Sequence, residues 1–298
     1  MKRVYTLHAG VQRIRTNIDN FMAGAVVSIG GILAALALPL ATHAVVASQV
    51  VVTPTNTQGW STSDTRPGGA VTFVVDATAP GTPANGALQL TTTAATTAKA
   101  QYMHQSSTTL ADVTELSYST KQNSASFAGG DASYQLATCL LGVTPAVGST
   151  PAVCNGFTTF VYEPYENGTV VPGIWQSWDV VAGQMWSSRT VSGGGCSVTA
   201  GGGGAPFYTV SGLQTSCPDA VVVGFGVNIG SNNPSYDVEA DLVNFNGTTY
   251  NFEPYVAVSD KDDCKSNGWK TAVDANGNGF KNQGACVSYV ASNGKSQH

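Results

Sequence analysis

The chain has 298 residues, of which 42% are hydrophobic and only 10% charged, against the roughly 25% of charged residues usual in globular chains. With 34 glycines and abundant Thr, Ser and Asn, this is the profile of many short strands joined by turns, in one large all-β domain or two smaller ones. Formal net charge is −5, and without the first 44 residues 9 basic groups face 17 acidic ones, or −8, which argues against nucleic acid as a partner because phosphate backbones require clustered Lys and Arg.

Residues 1–44 read as an export signal. Lys2, Arg3, Arg13 and Arg15 precede a run without charge from Phe21 to Ala44, Pro39 breaks it, and Ala44 or Ala47 offers a cleavage point. The alternative is a retained single-span anchor, since about 20 apolar residues cross a bilayer. Only in that case is the membrane a partner. Either way the bulk of the chain is expected to be secreted or held in the cell envelope.

From Gln49 onward, runs rich in Val, Thr, Tyr and Phe alternate with turn clusters at sandwich spacing. They predict strands at 49–53, 69–77, 86–93, 98–105, 113–121, 132–142, 156–165, 173–180, 219–230, 236–245 and 248–256. Residues 208–220 are the best short-helix candidate, ended by Pro218. In "YDVEADLVNF" period-two alternation assigns Val238, Ala240, Leu242 and Asn244 to one face and Asp237, Glu239, Asp241 and Val243 to the other. Asn246-Gly247 then predicts a type I′ hairpin turn, and Asn167-Gly168 predicts a second one between "FVYEPY" and "GIWQSW". Both are N-x-Thr sequons in form. The glycine-rich stretch 192–206 reads as a long surface loop. Beyond Val258 the composition turns abruptly charged, which sets a boundary between a domain at 48–257 and a small module at 258–298.

Six cysteines allow fifteen connectivities. Pairing of sequence neighbours, Cys139 with Cys154, Cys196 with Cys217 and Cys264 with Cys286, closes three local loops, each across a turn-rich segment, as suits an oxidising compartment. A metal reading lacks C-x-x-C spacing and clustered histidines. No nucleophilic triad can be assembled, because only His104 and His298 remain outside the export segment and no G-x-S-x-G elbow is present.

Two constellations could carry chemistry. Asp237, Glu239 and Asp241 project from one strand face in partial likeness to the acidic strand of laminarinase-type glucanases, where paired carboxylates cleave glycosidic bonds. The order Asp-Val-Glu-Ala-Asp departs from that family's Glu-x-Asp-x-(x)-Glu at both ends, so a solvated strand face is the plainer reading. The second is aromatic: Trp175, Trp178 and Trp186 near Tyr162, Tyr165 and Tyr208, whose faces could stack on sugar rings. Trp175 and Trp178 point to opposite faces of a continuous strand, so at least one belongs to the core. The candidate ligand-binding residues are therefore Trp178, Trp186, Tyr165, Glu239 and Asp241.

The run G-x-W-Q-x-W-D-x-x-x-G-x-x-W (173–186), followed by D-A-x-V-x-G-F-G-V-N-x-G (219–230), Y-D-x-x-x-D-x-V (236–243) and T-Y-N-F-E-P (249–254), resembles exported, functionally uncharacterised jelly-roll domains of bacteria. The likeness covers about residues 58–256 and implies a jelly-roll β-sandwich, with no catalytic residues to carry over. The tail "DDC…GW…FKNQGACVSYV" resembles a short cysteine-paired module at the ends of exported bacterial proteins. Within it, Asp274, Asn276, Asn278 and Gly279 match positions 1, 3, 5 and 6 of a calcium loop. Position 12, which needs a bidentate acid, is Ala285, so the stretch reads as turns and no cofactor is expected, calcium being the weak alternative. Trp269, Phe280 and Tyr289 form its expected miniature core. The combined expectation is an exported, non-catalytic surface-binding protein whose partner is a cell-surface glycan or envelope component, with a glycan hydrolase using the strand carboxylates, or a purely structural envelope protein, as rivals.

Overall fold

A computed structural model describes residues 48–81, 86–147, 149–254, 256–270, 272–274 and 279–294. The chain divides by its contacts into Met1–Ala44 and Val45–His298, and every described residue belongs to the second unit. The export segment on which the secretion reading rests lies outside the described residues, as do Asn276 and Asn278 of the calcium-like stretch.

The first half of the chain forms strands β1 (Ser48–Val52), β2 (Trp60–Ser61), β3 (Gly69–Val75), β4 (Gly86–Thr92), β5 (Ala100–Thr109), β6 (Leu116–Ser124), β7 (Ser133–Cys139), β8 (Val143–Thr144) and β9 (Val153–Cys154). There follow β10 (Phe157–Tyr162), helix α1 (Pro164–Asn167), β11 (Gln176–Asp179), β12 (Met185–Ser187), β13 (Val191–Gly193), β14 (Cys196–Val198) and β15 (Phe207–Tyr208). The last part holds α2 (Val210–Ser216), β16 (Val221–Ile229), β17 (Asp237–Phe245), β18 (Thr248–Phe252), β19 (Val256–Ala257), β20 (Ala272–Val273) and α3 (Gln283–Ala291). All eleven sequence-predicted strands are present, and α2 falls inside the predicted helix. Its N-cap is Thr209, whose hydroxyl accepts from the Gly212 amide at 3.1 Å.

Two seven-stranded sheets make an all-β sandwich. The first runs β1-β18-β17-β4-β3, with β6 along the free edge of β17 and β11 beyond β6. The second runs β15-β12-β10-β7-β16-β5-β2. Every pairing within the two sheets is antiparallel except β1 with β18. Between the sheets lies a large aromatic core. Trp60 packs on Tyr102 and Phe225 of one sheet and on Phe252 of the other at ring distances of 5.4, 5.6 and 5.0 Å. Phe225 stacks on Phe245 at 4.3 Å, and Tyr118 meets Tyr134 edge-on at 5.4 Å. The two buried tyrosine hydroxyls donate to the carbonyls of Ala132 and Asn244, so burial of these rings, at about 1.5–3 kcal/mol per large side chain, leaves no orphaned hydroxyl.

The three disulfides pair sequence neighbours as expected, across separations of 15, 21 and 22 residues. Cys264–Cys286 closes the C-terminal segment around a cluster of its own, in which buried Cys264, Ala272, Phe280 and Cys286 are flanked by Trp269 and Tyr289. A chain this short lacks the apolar area to hold itself folded, and the bridge supplies the missing constraint.

The structure corrects two local readings and bears out a third. The Asn246-Gly247 turn forms as predicted, with φ of 50° and 79°. Asn167-Gly168 is not a hairpin: Pro164 opens the single turn of α1, and the chain then crosses from β10 in the second sheet to β11 in the first. Both sequon asparagines spend their amides internally, Asn167 on the carbonyls of Glu163 and Gln184 and Asn246 on that of Asp112. The faces of β17 also swap midway. Leu242 has φ of +48° and the pairing with β6 shifts between Asp241 and Asn244. After Val238 and Ala240, it is Val243 and Phe245 that enter the core, not Leu242 and Asn244. The extra residue lets one edge of β17 pair with β4 through its first half and with β18 through its second.

Candidate functional site

The outer face of the second sheet is not flat. Along β10, Thr158, Phe160 and Tyr162 point into the sandwich, so Phe157, Thr159 and Val161 face outward; across the ladder the same face carries Gln135 and Ala137 of β7 and Gln101 and Met103 of β5. These residues floor a groove of about 800 Å³. Gly226 occupies the outward position between Gln135 and Met103. A Cβ there would lie 2.2 Å from the Tyr102 carbonyl oxygen, so the close approach of β5 requires glycine. Floor amides are deeply set: Gln135 and Asn228 are only 7% and 3% exposed although they face outward. They are held in a polar chain in which Gln135 Nε2 donates to Ser133 Oγ, that hydroxyl donates to the Asn228 carbonyl, and Asn228 Nδ2 donates to Gln101 Oε1.

Aromatic rings form one wall. Trp186 stands on β12 beside Val161, and Tyr165 projects from α1. Tyr165 meets Phe127 edge-on at 5.2 Å and its hydroxyl donates to the Gly203 carbonyl at 3.0 Å. Tyr236 closes the end of the groove against Gly130, where any Cβ would fall 2.2 Å from the tyrosine oxygen. The glycine-rich stretch read from sequence as a long surface loop tied down by Cys196–Cys217 carries that bridge and is partly regular: β13 and β14 form a hairpin within it, and Gly202 and Gly203 line the groove next to Trp186. With no side chains, this stretch supports the rings without filling the space before them.

Titratable groups cluster at the same end. Asp131 is 5% exposed, takes the Thr120 hydroxyl at 2.6 Å and its neighbour Ala132's amide at 2.8 Å, and is pushed up to about 7 by burial. Glu163 is raised to about 8, first by burial and then by the negative charges of Glu166 and Asp131, while the indole of Trp186 works in the other direction. Trp186 Nε1 is itself buried with no partner in hydrogen-bonding geometry among the described residues. On the opposite wall Asp64 is held below the usual carboxylate range, first by Lys99 and also by Arg66, whose other contact is Ser231 at 3.1 Å. Arg189 lies over the Phe157 ring at 5.2 Å, exposed at the groove's edge.

Of the five residues singled out from sequence, the structure brings only Trp186 and Tyr165 together. Trp178 is a core residue of the first sheet, 8% exposed, with its Nε1 donating to Thr120 Oγ1 at 2.8 Å. Its ring has no open face for a ligand. Glu239 and Asp241 are also on the first sheet and are not a solvated strand face: they are 6% and 0% exposed. Glu239 pairs with Lys121 at 2.8 Å and accepts from Asn123 at 2.8 Å; Asp241 accepts the Phe252 amide at 2.8 Å. Burial raises both carboxyls above their ordinary range. Sequence reasoning missed Asp131, Glu163, Gln135, Asn228, Arg66, Lys99 and Arg189. The available signal was the intrusion of Gln135 and Asn228 into otherwise apolar strands, and the scarcity of cations that makes each one informative. Among the described residues no group of three or more His, Cys, Asp or Glu side chains is arranged to hold a metal, and no helix is long and apolar enough to cross a membrane.

No protein-family model matches the chain, and no curated protein matches its sequence. Among solved structures it is similar to a family 11 carbohydrate-binding module from Clostridium thermocellum in complex with a β-1,3-1,4-mixed-linked tetrasaccharide, at 11% identity and a TM-score of 0.34, over 64% of this chain and 89% of that one. It is also similar to the family 11 carbohydrate-binding module of the cellulosomal cellulase Lic26A-Cel5E of Clostridium thermocellum, at 10% identity and a TM-score of 0.32, over 65% and 89%. The sandwich assignment rests on the strand pairing described above.

Proposed function

We propose that this is an exported, non-catalytic binding protein that holds a carbohydrate chain in the groove on the outer face of the second sheet. The observation that carries the reading is the pairing of an aromatic wall, Trp186 and Tyr165, with a floor of recessed amides, Gln135 and Asn228. Sugar rings present apolar C–H faces and a fringe of hydroxyls. Indole and phenol faces take the first, and fixed amides that already belong to a hydrogen-bond chain take the second without reordering. Export is supported by the basic and apolar opening of the sequence and by three disulfides, which persist in oxidising compartments. Hydrolysis by Glu239 and Asp241 has no support, because both are engaged inside the other sheet.

A glycan array probed with the purified protein, with calcium and with EDTA, tests the reading. Trp186→Ala is expected to weaken retention at least tenfold, about 1.4 kcal/mol, while Ile174→Ala, on an exposed loop, leaves it unchanged. A blank array would favour a structural envelope role.

A further inference from the structure

Charge is distributed very unevenly over the sandwich. Between residues 48 and 257 the sequence holds thirteen Asp and Glu but only four basic residues, Arg66, Lys99, Lys121 and Arg189. Lys121 is sunk between Asp76 and Glu239 on the first sheet. The other three all line the groove. A solvated scatter of so few cations over so acidic a surface does not place three in one depression.

Nor are they neutralised there. Arg66 and Lys99 share one carboxylate, Asp64, so that wall keeps one positive charge in excess. Arg189 has no acidic partner within ion-pair distance among the described residues, and its main chain is fixed by Thr158 Oγ1. The remaining groove acids, Asp131 and Glu163, are pushed by burial to about 7 and about 8, so below neutrality they are mostly uncharged and the groove carries two positive charges in excess. The two cationic walls stand at opposite flanks of the sheet: Lys99 immediately precedes β5 and Arg189 follows β12. Four strand-to-strand steps separate β5 from β12, on the order of 20 Å. A ligand touching both walls is therefore an extended chain crossing the strands, passing over Gln135 and under Trp186.

Resting on the carbohydrate reading, we infer that the groove's ligand is an anionic polysaccharide whose carboxylate or sulfate groups lie against Arg66 and Lys99 on one wall and Arg189 on the other. Guanidinium suits both anions through paired N–H donors. The acidic surface outside the groove excludes broad polyanions such as duplex nucleic acid, which need an unobstructed basic face. Confinement of the cations to the groove admits a single narrow chain.

The test is calorimetric titration of the full protein at pH 6 with four probes: polygalacturonate, dextran sulfate, neutral mixed-linked β-glucan and polyglutamate. Binding of polygalacturonate or dextran sulfate at least tenfold tighter than the neutral glucan supports the inference, and which of the two binds identifies the anion. Arg189→Gln should weaken that binding about tenfold, as should raising salt from 0.05 to 0.5 M, whereas affinity for neutral glucan should be unaffected by either. Tight binding of the neutral glucan with no preference for the anionic chains overturns the inference and leaves the carbohydrate reading standing. Equal binding of polyglutamate overturns it in favour of a peptide groove, and no binding to any probe overturns both.

Discussion

Asp131→Asn puts a number on the buried acid at the groove's end. Asp131 is 5% exposed and its carboxyl is raised from 3.8 to about 7 by burial, the hydrogen bonds from Thr120 and Ala132 opposing that shift without cancelling it. Each pK unit corresponds to 1.36 kcal/mol, so ionising Asp131 in the folded protein is disfavoured by about 4 kcal/mol relative to the unfolded chain. The folded state binds the proton more tightly, so stability from this group is full below about pH 4, declines as pH rises through about 7 and is flat above. Between pH 5 and pH 9 the decline is about 3 kcal/mol. The amide of the variant cannot ionise. Its oxygen keeps the Ala132 N–H, and its NH₂ can donate to Thr120 Oγ1, which already accepts from Trp178 Nε1. Thermal unfolding followed by circular dichroism should therefore place the variant's melting point relative to wild type roughly 6–12 °C higher at pH 9 than at pH 5, at 2–4 °C per kcal/mol. Glu163, Glu239 and Asp241 titrate in both proteins and largely drop out of the comparison; removing the Asp131 charge also eases the ionisation of Glu163, which acts in the same direction. An equal difference in melting point at the two pH values would refute the argument.

Binding of polygalacturonate to the groove should weaken as pH rises from 6 to 9. Asp131 and Glu163 ionise over that range, faced by Glu166 of α1, by Tyr165 and Tyr236, whose hydroxyls burial pushes further above it, and by the indole of Trp186. A dissociation constant for polygalacturonate that is the same at both pH values contradicts that arrangement. Lys121→Met leaves Asp76 and Glu239 as two partly buried carboxylates without their cation, and chemical denaturation should show a loss of about 3 kcal/mol at pH 7 that shrinks at pH 4. Cys196→Ser with Cys217→Ser frees the glycine-rich stretch beside Trp186. Stability should fall by about 3 kcal/mol and groove affinity with it, whereas opening Cys264–Cys286 in the same way should leave affinity unchanged.

Much of this fold is legible in one dimension because it is local. Strands announce themselves by β-branched and aromatic runs between turn residues, the Asn246-Gly247 hairpin by the need for two positive φ angles, α2 by its Thr209 cap, and the disulfides by the proximity in sequence of each pair. Alternation also separates the two faces of each strand, as in β10 and in the first half of β17. It fails at Leu242, where one residue in a left-handed conformation exchanges the faces and nothing in "YDVEADLVNF" marks the break.

Alternation says that a strand has two faces, but not which one a second layer will cover. Trp178 and Trp186 look equivalent in sequence, yet one is sealed between Thr120 and the core while the other walls an open groove, because β11 joins the first sheet and β12 the second. Glu239 and Asp241, which seemed to offer themselves to solvent, lie on the face away from the aromatic core and are covered there by neighbours the sequence does not announce, Lys121 and Asn123 for Glu239 and the Phe252 backbone for Asp241. The groove's charged groups come from segments scattered between residues 64 and 189, and only the pairing of distant strands brings them together. Class, disulfide pattern and the eleven described strands of four or more residues follow from the amino-acid order by itself, whereas the two- and three-residue strands, β12 among them, do not. The site is a property of sheet membership, set by long-range packing of the aromatic core, and so is decided only in three dimensions.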